Sequence, residues 1–302
     1  MPAPAEGGVA LHLSSLIDSL EESLRRAGID SARVEAEMLA GHVLGLSRSQ
    51  LQVRGGGEVS AADEKRIAVL AGRREKRYPL QYLTGECEFY SLAFTVREGV
   101  FIPRPETEVL VESVASKVKA HAGKALRILD IGTGSGAISI SLAHALGPSR
   151  AAGMFILATD ISPVAVEAAR LNAARHGVEN IMKFAVGDGI GFISERDGGG
   201  RFDVCVSNPP YVAASEIDGL DPEVRDHEPR AALDGGEDGL EFVRRIVPGL
   251  PSILSEGALA AFEIAPGQAH EVERLLARAG AAGTEVVKDL SGRDRVIIAR
   301  ME

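Results

Sequence analysis

The chain has 302 residues, 45% of them hydrophobic and 25% charged. That globular composition leaves enough apolar material for one large or two ordinary domains and excludes a disordered or fibrous protein. The formal net charge is −10; residues 1–79 are balanced, so the acidic excess lies in residues 80–302, which argues against general binding to nucleic-acid phosphates.

The N-terminal stretch MPAPAEGGVALHLSS has no basic region ahead of its apolar residues and reads as neither a secretory nor a transit peptide. LSSLIDSLEESLRRAG puts Leu13, Leu16, Ile17, Leu20 and Leu24 on one helical face, with Gly28 as the stop. SARVEAEMLAGHVLG is a second amphipathic stretch capped by Asp30 or Ser31. In SAADEKRIAVLAGRREKR, Ser60 and Asp63 have capping-box spacing, and Pro79 ends that helix. Residues 1–79 therefore read as a helical domain without chemistry of its own. Residues 80–102 read as a connecting hairpin, with CEFY and AFTV on either side of Ser91-Leu92. An amphipathic helix follows FIPRPETE.

From residue 125 strands and helices alternate: ALRILD, AISISLAHAL, MFILATD, SPVAVEAARLNAARHG, NIMKFAVGD, FDVCVSNPP, GALAAFEI, EVERLLARAG, TEVVKD and RVIIAR. The pattern implies an α/β fold over residues 103–302, a doubly wound, mostly parallel, Rossmann-like sheet. The last two strands, joined by DLSGRD, imply an antiparallel pair at the edge. Gly198-Gly199-Gly200 reads as a loop tip. The two cysteines, Cys87 and Cys205, are too far apart for a metal or redox motif; reduced thiols in a cytoplasmic protein, with Cys205 inside a strand, are expected. No run approaches the roughly 18 apolar residues of a membrane span.

The strand ALRILD runs into Gly132-Thr133-Gly134-Ser135-Gly136 and then a helix. In open α/β sheets ligands sit at the carboxyl ends of strands, and glycines there admit a ligand close to the backbone. The spacing is G-x-G-x-G rather than the dinucleotide G-x-G-x-x-G, and it resembles the first motif of class I S-adenosyl-L-methionine-dependent methyltransferases. Asp160 ends the second strand, where a carboxylate can accept from both hydroxyls of a ribose. That supports an adenosine-containing ligand without choosing between this cofactor and NAD. Asp188-Gly189 ends the third strand.

The fourth strand ends in Asn208-Pro209-Pro210-Tyr211. Two prolines fix φ and donate no N–H, so the carbonyls of Asn208 and Pro209 and the Asn208 side chain make a stiff set of acceptors. An amide or arylamine nitrogen is a poor nucleophile because its lone pair is delocalised. Acceptors on its hydrogens orient that nitrogen and stabilise developing charge, and Tyr211 adds a flat wall. The sequence carries no cluster for a metal, and the seven histidines are scattered.

N-P-P-Y alone fits methylation of adenine N6, guanine N2 or a glutamine side chain. From about residue 73 onward, YPLQYLTGECEFYSLAFTVREGVFIPRPETE, GTGSG, SNPPY, RDHEPRAALDGGEDGL and SGRDRVIIAR together resemble the bacterial peptide-chain release factor glutamine-N5 methyltransferases. The related ribosomal-protein glutamine methyltransferases share N-P-P-Y but not P-R-P-E-T-E. The resemblance implies methyl transfer from S-adenosyl-L-methionine to the glutamine amide of the Gly-Gly-Gln motif in class I release factors. Those would be the protein partners, with no stable nucleic-acid binding and no membrane. Gly132, Thr133, Gly134, Ser135, Gly136, Asp160, Asp188 and Gly189 would line the cofactor. Asn208, Pro209, Pro210 and Tyr211 would hold the target amide, with Asn208 also bordering the cofactor. Residues 1–79 would grip the protein substrate. Gly189 departs from relatives that carry an aromatic there, leaving Ile190 as the expected adenine wall. An adenine-N6 nucleic-acid methyltransferase is the rival reading, but it should show a basic face. The ten acids of residues 212–241 are either solvated surface or an acidic border to the substrate entrance.

Overall fold

A computed structural model describes residues 12–119, 125–147, 153–191, 193 and 201–302. The Gly198-Gly199-Gly200 tip and the first residues of the chain lie outside the described residues. The chain divides into two compact units, Met1–Gly85 with Pro222–His227, and Glu86–Asp221 with Glu228–Glu302.

In the helical unit, α1 (Leu13–Arg26) buries Leu13, Leu16, Ile17, Leu20 and Leu24, and Gly28 follows it at φ 75°. α2 (Ala32–Leu44) packs on α1 and ends at Gly45, whose left-handed backbone bonds back to the Gly41 carbonyl. α3 (Arg48–Val53) opens with a reciprocal capping box between Ser47 and Gln50. α4 (Ala61–Arg74) is capped by Ser60, which accepts from the Asp63 N–H. The stretch after Pro79 forms a further helical turn, α5 (Leu80–Thr84), whose Leu80 and Leu83 join this unit's core. The short helix Pro222–His227 returns to this unit from far along the chain. Its Glu223 pairs with Arg74 (2.7 Å) and Arg77 (2.8 Å), and Arg74 is itself paired with Glu35. Arg74 is buried, and a buried guanidinium is tolerable only with such partners.

The second unit begins with the hairpin β1 (Glu86–Phe89) and β2 (Leu92–Thr95). Its turn is Tyr90-Ser91, one residue earlier than Ser91-Leu92, because Leu92 pairs with Phe89. Both turn residues take φ above 50°, the twist a two-residue hairpin needs. A 3₁₀ turn (Pro105–Thr107) leads into α6 (Glu108–Lys119). Seven strands follow: β3 (Leu126–Ile131), β4 (Met154–Asp160), β5 (Met182–Val186), β6 (Phe202–Ser207), β7 (Leu254–Glu263), β8 (Ala281–Lys288) and β9 (Asp294–Met301). Their order is β5-β4-β3-β6-β7-β9-β8, with β9 antiparallel to both neighbours and the rest parallel. The sheet has two buried faces: Ile128 points into one core, Leu129 and Ile131 into the other. Helices α7 (Ala137–Leu146), α8 (Pro163–Arg175), α9 (Glu241–Ile246) and α10 (Ala269–Arg278) belong to this unit. The chain runs outward from β3 through β4 to β5, then restarts at β6 on the other side of β3. That reversal is the topological switch point where such sheets bind ligands.

Candidate active site

The carboxyl ends of β3, β4 and β6 adjoin at the switch point, and each carries one part of the site. Gly132 and Thr133 leave β3 by donating their N–H groups to the Thr159 carbonyl of β4. Gly132, Gly134 and Gly136 all have positive φ. Their roles differ. A Cβ on Gly136 would lie 2.8 Å from Ile140 and 3.2 Å from Ala169, so that glycine serves helix packing; one on Gly134 would meet nothing within 4 Å, so its backbone borders open space. Thr133 and Ser135 are buried.

Asp160, at the end of β4, accepts the Gly134 N–H and the Ser162 N–H, both at 2.9 Å. Burial pushes its pKa up, and these donors pull it down. Each oxygen keeps a lone pair for a further donor. Asp130, at the end of β3, is fully buried. Thr133 donates to its Oδ2 at 2.6 Å, while Oδ1 has no partner. Burial raises its pKa to about 6. Asp130 stood outside the expected site, although an acid at the end of a mostly apolar strand, just before a glycine turn, was a legible signal. An open glycine backbone, a carboxylate with spare lone pairs and a second, unsatisfied carboxyl suit a cationic ligand bearing a ribose.

Asp188 and Gly189 follow the carboxyl end of β5. Asp188 is exposed and bonded to Arg245 at 2.8 Å. Gly189 is buried at φ 64°, and a Cβ there would sit 2.8 Å from Ile246. The positive φ, which L side chains rarely adopt, disfavours a larger residue at this position. Ile190 is partly buried and packs on the core beside Gly249. The apolar side chain exposed beside Asp160 is Ile161, 56% accessible.

At the end of β6, the Ser207 hydroxyl donates to the Ile131 carbonyl (2.7 Å), tying β6 to β3. The Asn208 carbonyl lies 3.9 Å from where Gly132 would carry a Cβ, which brings the two sequence signatures side by side. The Asn208 amide nitrogen donates to the Thr107 hydroxyl (3.1 Å), so its Oδ1 is left as an acceptor. Pro209 is buried, Pro210 half-buried. Tyr211 donates to the Glu263 carboxyl at 3.2 Å. Glu263, at the end of β7, is 1% exposed, and burial raises its pKa against the pull of Thr107, Arg295 and Tyr211. Neither Thr107 nor Glu263 was expected as a site residue; Thr107 falls inside the P-R-P-E-T-E run, and Glu263 is the one acid in AAFEI.

Arg104 pairs with the buried Glu228, which also accepts the Ile102 N–H at 3.2 Å. Two of the ten acids in 212–241, Glu223 and Glu228, are therefore committed to arginines. Asp226, Asp234 and Asp238 are also paired with arginines, so the segment is not a bare acidic rim.

A doubly wound sheet with this glycine turn and an acceptor motif at its switch point is the catalytic domain of a methyltransferase. The description "PrmC N-terminal domain" matches residues 15–85, and "Methyltransferase domain" matches residues 122–243. The release factor glutamine methyltransferase of Geobacter sulfurreducens is 39% identical over 289 residues, 96% of each chain. That of Bacillus cereus is 40% identical over 268 residues, 88% of this chain and 92% of its own. Among solved structures, the release-factor-specific protein-(glutamine-N5) methyltransferase of Alicyclobacillus acidocaldarius is 33% identical over 67% of this chain and 94% of its own, with a TM-score of 0.41. The hMettl16 catalytic domain in complex with an RNA hairpin shares the fold, with a TM-score of 0.53 at 17% identity over 82% of this chain and 84% of its own. The chain belongs to the release factor glutamine methyltransferase family, and its methyl donor is S-adenosylmethionine. Among the described residues, no helix is long and apolar enough to cross a membrane.

Proposed function

We propose that this enzyme methylates the side-chain N5 of the glutamine in the Gly-Gly-Gln motif of class I release factors. The observation that carries the reading is the juxtaposition of the Asn208 carbonyl with the Gly132 turn, 3.9 Å from its Cβ position. An acceptor set suited to an amide stands beside a turn suited to the donor. S-adenosylmethionine supplies a methyl group on a cationic sulfur, already activated toward attack. Asp160 would accept from its ribose, the Gly132–Gly136 turn would receive its amino-acid part, and Asp130 would offset its positive charge.

Asn208 Oδ1 and the backbone carbonyls of Asn208 and Pro209 would hold the N–H groups of the target amide. Held so, the nitrogen is oriented and its developing positive charge is stabilised. Pro209 and Pro210 cannot turn an N–H toward the site, so the frame stays acceptor-only. The half-buried Tyr211, fixed at its hydroxyl by Glu263, would flank the planar amide. The helical unit would choose the protein partner. Incubation with labelled S-adenosylmethionine and either release factor or duplex DNA tests this: label should enter the release factor at the Gly-Gly-Gln glutamine. Label in DNA would favour the adenine-methyltransferase reading, which the net charge of −10 opposes.

A further inference from the structure

Asp234-Gly235-Gly236-Glu237-Asp238-Gly239-Leu240 is a conspicuous run in the sequence with no part in the site described so far. It lies against the residues that follow the acceptor motif. Upstream of the Tyr211 ring, the two prolines fix φ. Downstream, the peptide unit between Tyr211 and Val212 is bonded at both ends. Its carbonyl accepts a Gln268 side-chain N–H at 3.1 Å, and its N–H donates to the Leu233 carbonyl at 3.0 Å. The next carbonyl, that of Val212, accepts the Gly235 N–H at 2.8 Å, and the Ala214 N–H donates to the Gly236 carbonyl at 2.8 Å.

Gln268 stands just ahead of α10. Its amide nitrogen has two hydrogens to give. One goes to the Tyr211 carbonyl, the other to the Gly239 carbonyl at 3.2 Å. Its Oε1 accepts the Ala265 N–H at 2.9 Å. Turned over, the side chain would set oxygen against two carbonyls and nitrogen against an N–H, so a single orientation satisfies all three partners. Gly239 makes the close approach possible. At φ 77°, a Cβ there would lie 2.2 Å from the Tyr211 carbonyl oxygen and 2.6 Å from Gln268 Nε2. The Tyr211 hydroxyl is bonded to Glu263, at the end of β7. Glu263 and Gln268 flank the connection from β7 to α10, so that connection holds Tyr211 by its hydroxyl and by its carbonyl.

We propose that Gln268, seated against Gly239, fixes the Tyr211 ring where it flanks the target amide. Gln268 is a positioning residue that acts through Tyr211, and the inference rests on Tyr211 bordering that amide. A ring free to swing on its backbone would leave the amide nitrogen free to turn away from the methyl group. The glycines of the run let its backbone come close enough to close the clamp.

The test is steady-state kinetics on whole release factor, with calorimetry for S-adenosylmethionine, on Gln268→Met, Tyr211→Ala and the double variant. Gln268→Met keeps the length of the side chain but removes both donors. Its kcat should fall on the order of tenfold, a modest misplacement of a reacting group, with the affinity for S-adenosylmethionine unchanged. With no ring left to place, the same change should cost little further in the Tyr211→Ala background. Should Gln268→Met fail to fold, Gln268→Glu serves instead: its carboxylate can only accept, both carbonyls lose their donor, and kcat should fall at least as far. Near-normal turnover in Gln268→Met, or in Gln268→Glu where that variant stands in, beside an impaired Tyr211→Ala would overturn the clamp and leave the role of Tyr211 standing. A loss repeated in full in the Tyr211→Ala background, or weakened cofactor binding, would also overturn it. Near-normal turnover in Tyr211→Ala would remove the underlying reading itself.

Discussion

Asp130 offers a way to read the site's charge design through stability. Its carboxyl is fully buried, and burial, with a smaller push from Asp160, outweighs the pull of Thr133 and the neighbouring Ser139 to give a pKa of about 6 against an ordinary 3.8. A carboxyl whose folded pKa is raised is most favourable protonated. It costs nothing below about pH 4, and its cost grows until pH passes the folded value. At 1.36 kcal/mol per unit, the full cost is about 3 kcal/mol at pH 7 and about 1 kcal/mol at pH 4.5. Asp130→Asn removes this titration. The new amide also places a donor where Oδ1 has no partner, a constant penalty of about 1–3 kcal/mol. The constant part cancels in a comparison across pH. Urea unfolding of the cofactor-free enzyme and variant should therefore show the variant gaining about 2 kcal/mol relative to wild type between pH 4.5 and pH 7. The variant should at the same time bind S-adenosylmethionine more weakly, having lost a counter-charge to the cation. A stability difference that stays constant across this pH range would refute the account, as would tighter cofactor binding.

Asp160→Ala should weaken S-adenosylmethionine by about 1.5–3 kcal/mol in calorimetry, the worth of a hydrogen bond to a charged group; unchanged affinity would put the ribose elsewhere. Gly136→Ala should destabilise the fold by about 1–3 kcal/mol in thermal or urea unfolding, because φ is 82° and the new methyl meets Ile140 and Ala169. Val34 and Met38, one turn apart on α2, are both more than a third exposed. Changing both to Asp should lower kcat/KM for whole release factor on the order of tenfold, as for loss of apolar contacts at an interface, without altering cofactor affinity.

The strands were legible because short apolar runs bounded by glycine and polar turns are local signals, and both faces of the sheet are buried. The antiparallel β8–β9 edge followed from the short DLSGRD connection alone. The hairpin turn was misplaced by one residue because Tyr90 and Ser91 adopt positive φ without a glycine or asparagine to announce it. α3 passed unseen, as six residues carry too little periodicity, although Ser47 and Gln50 spelled its cap. At the site, residues adjacent in sequence were visible as motifs. Those assembled across the sheet were not: Thr107 is 101 positions from Asn208, and Glu263 is 52 from Tyr211. The acids of 212–241 looked alike as a string; only three dimensions separate Glu223 and Glu228, held by buried or half-buried arginines, from their exposed neighbours.

The return of Pro222–His227 to the helical unit has a consequence for biogenesis. Synthesis runs from the N-terminus at about 5–20 residues per second. Arg74 and its first carboxylate, Glu35, leave the ribosome early, but Glu223 lies 149 positions after Arg74. For several seconds the nascent helices carry a guanidinium destined for burial with only half its counter-charge. Their final packing must wait until the strand bearing the acceptor motif has also been made.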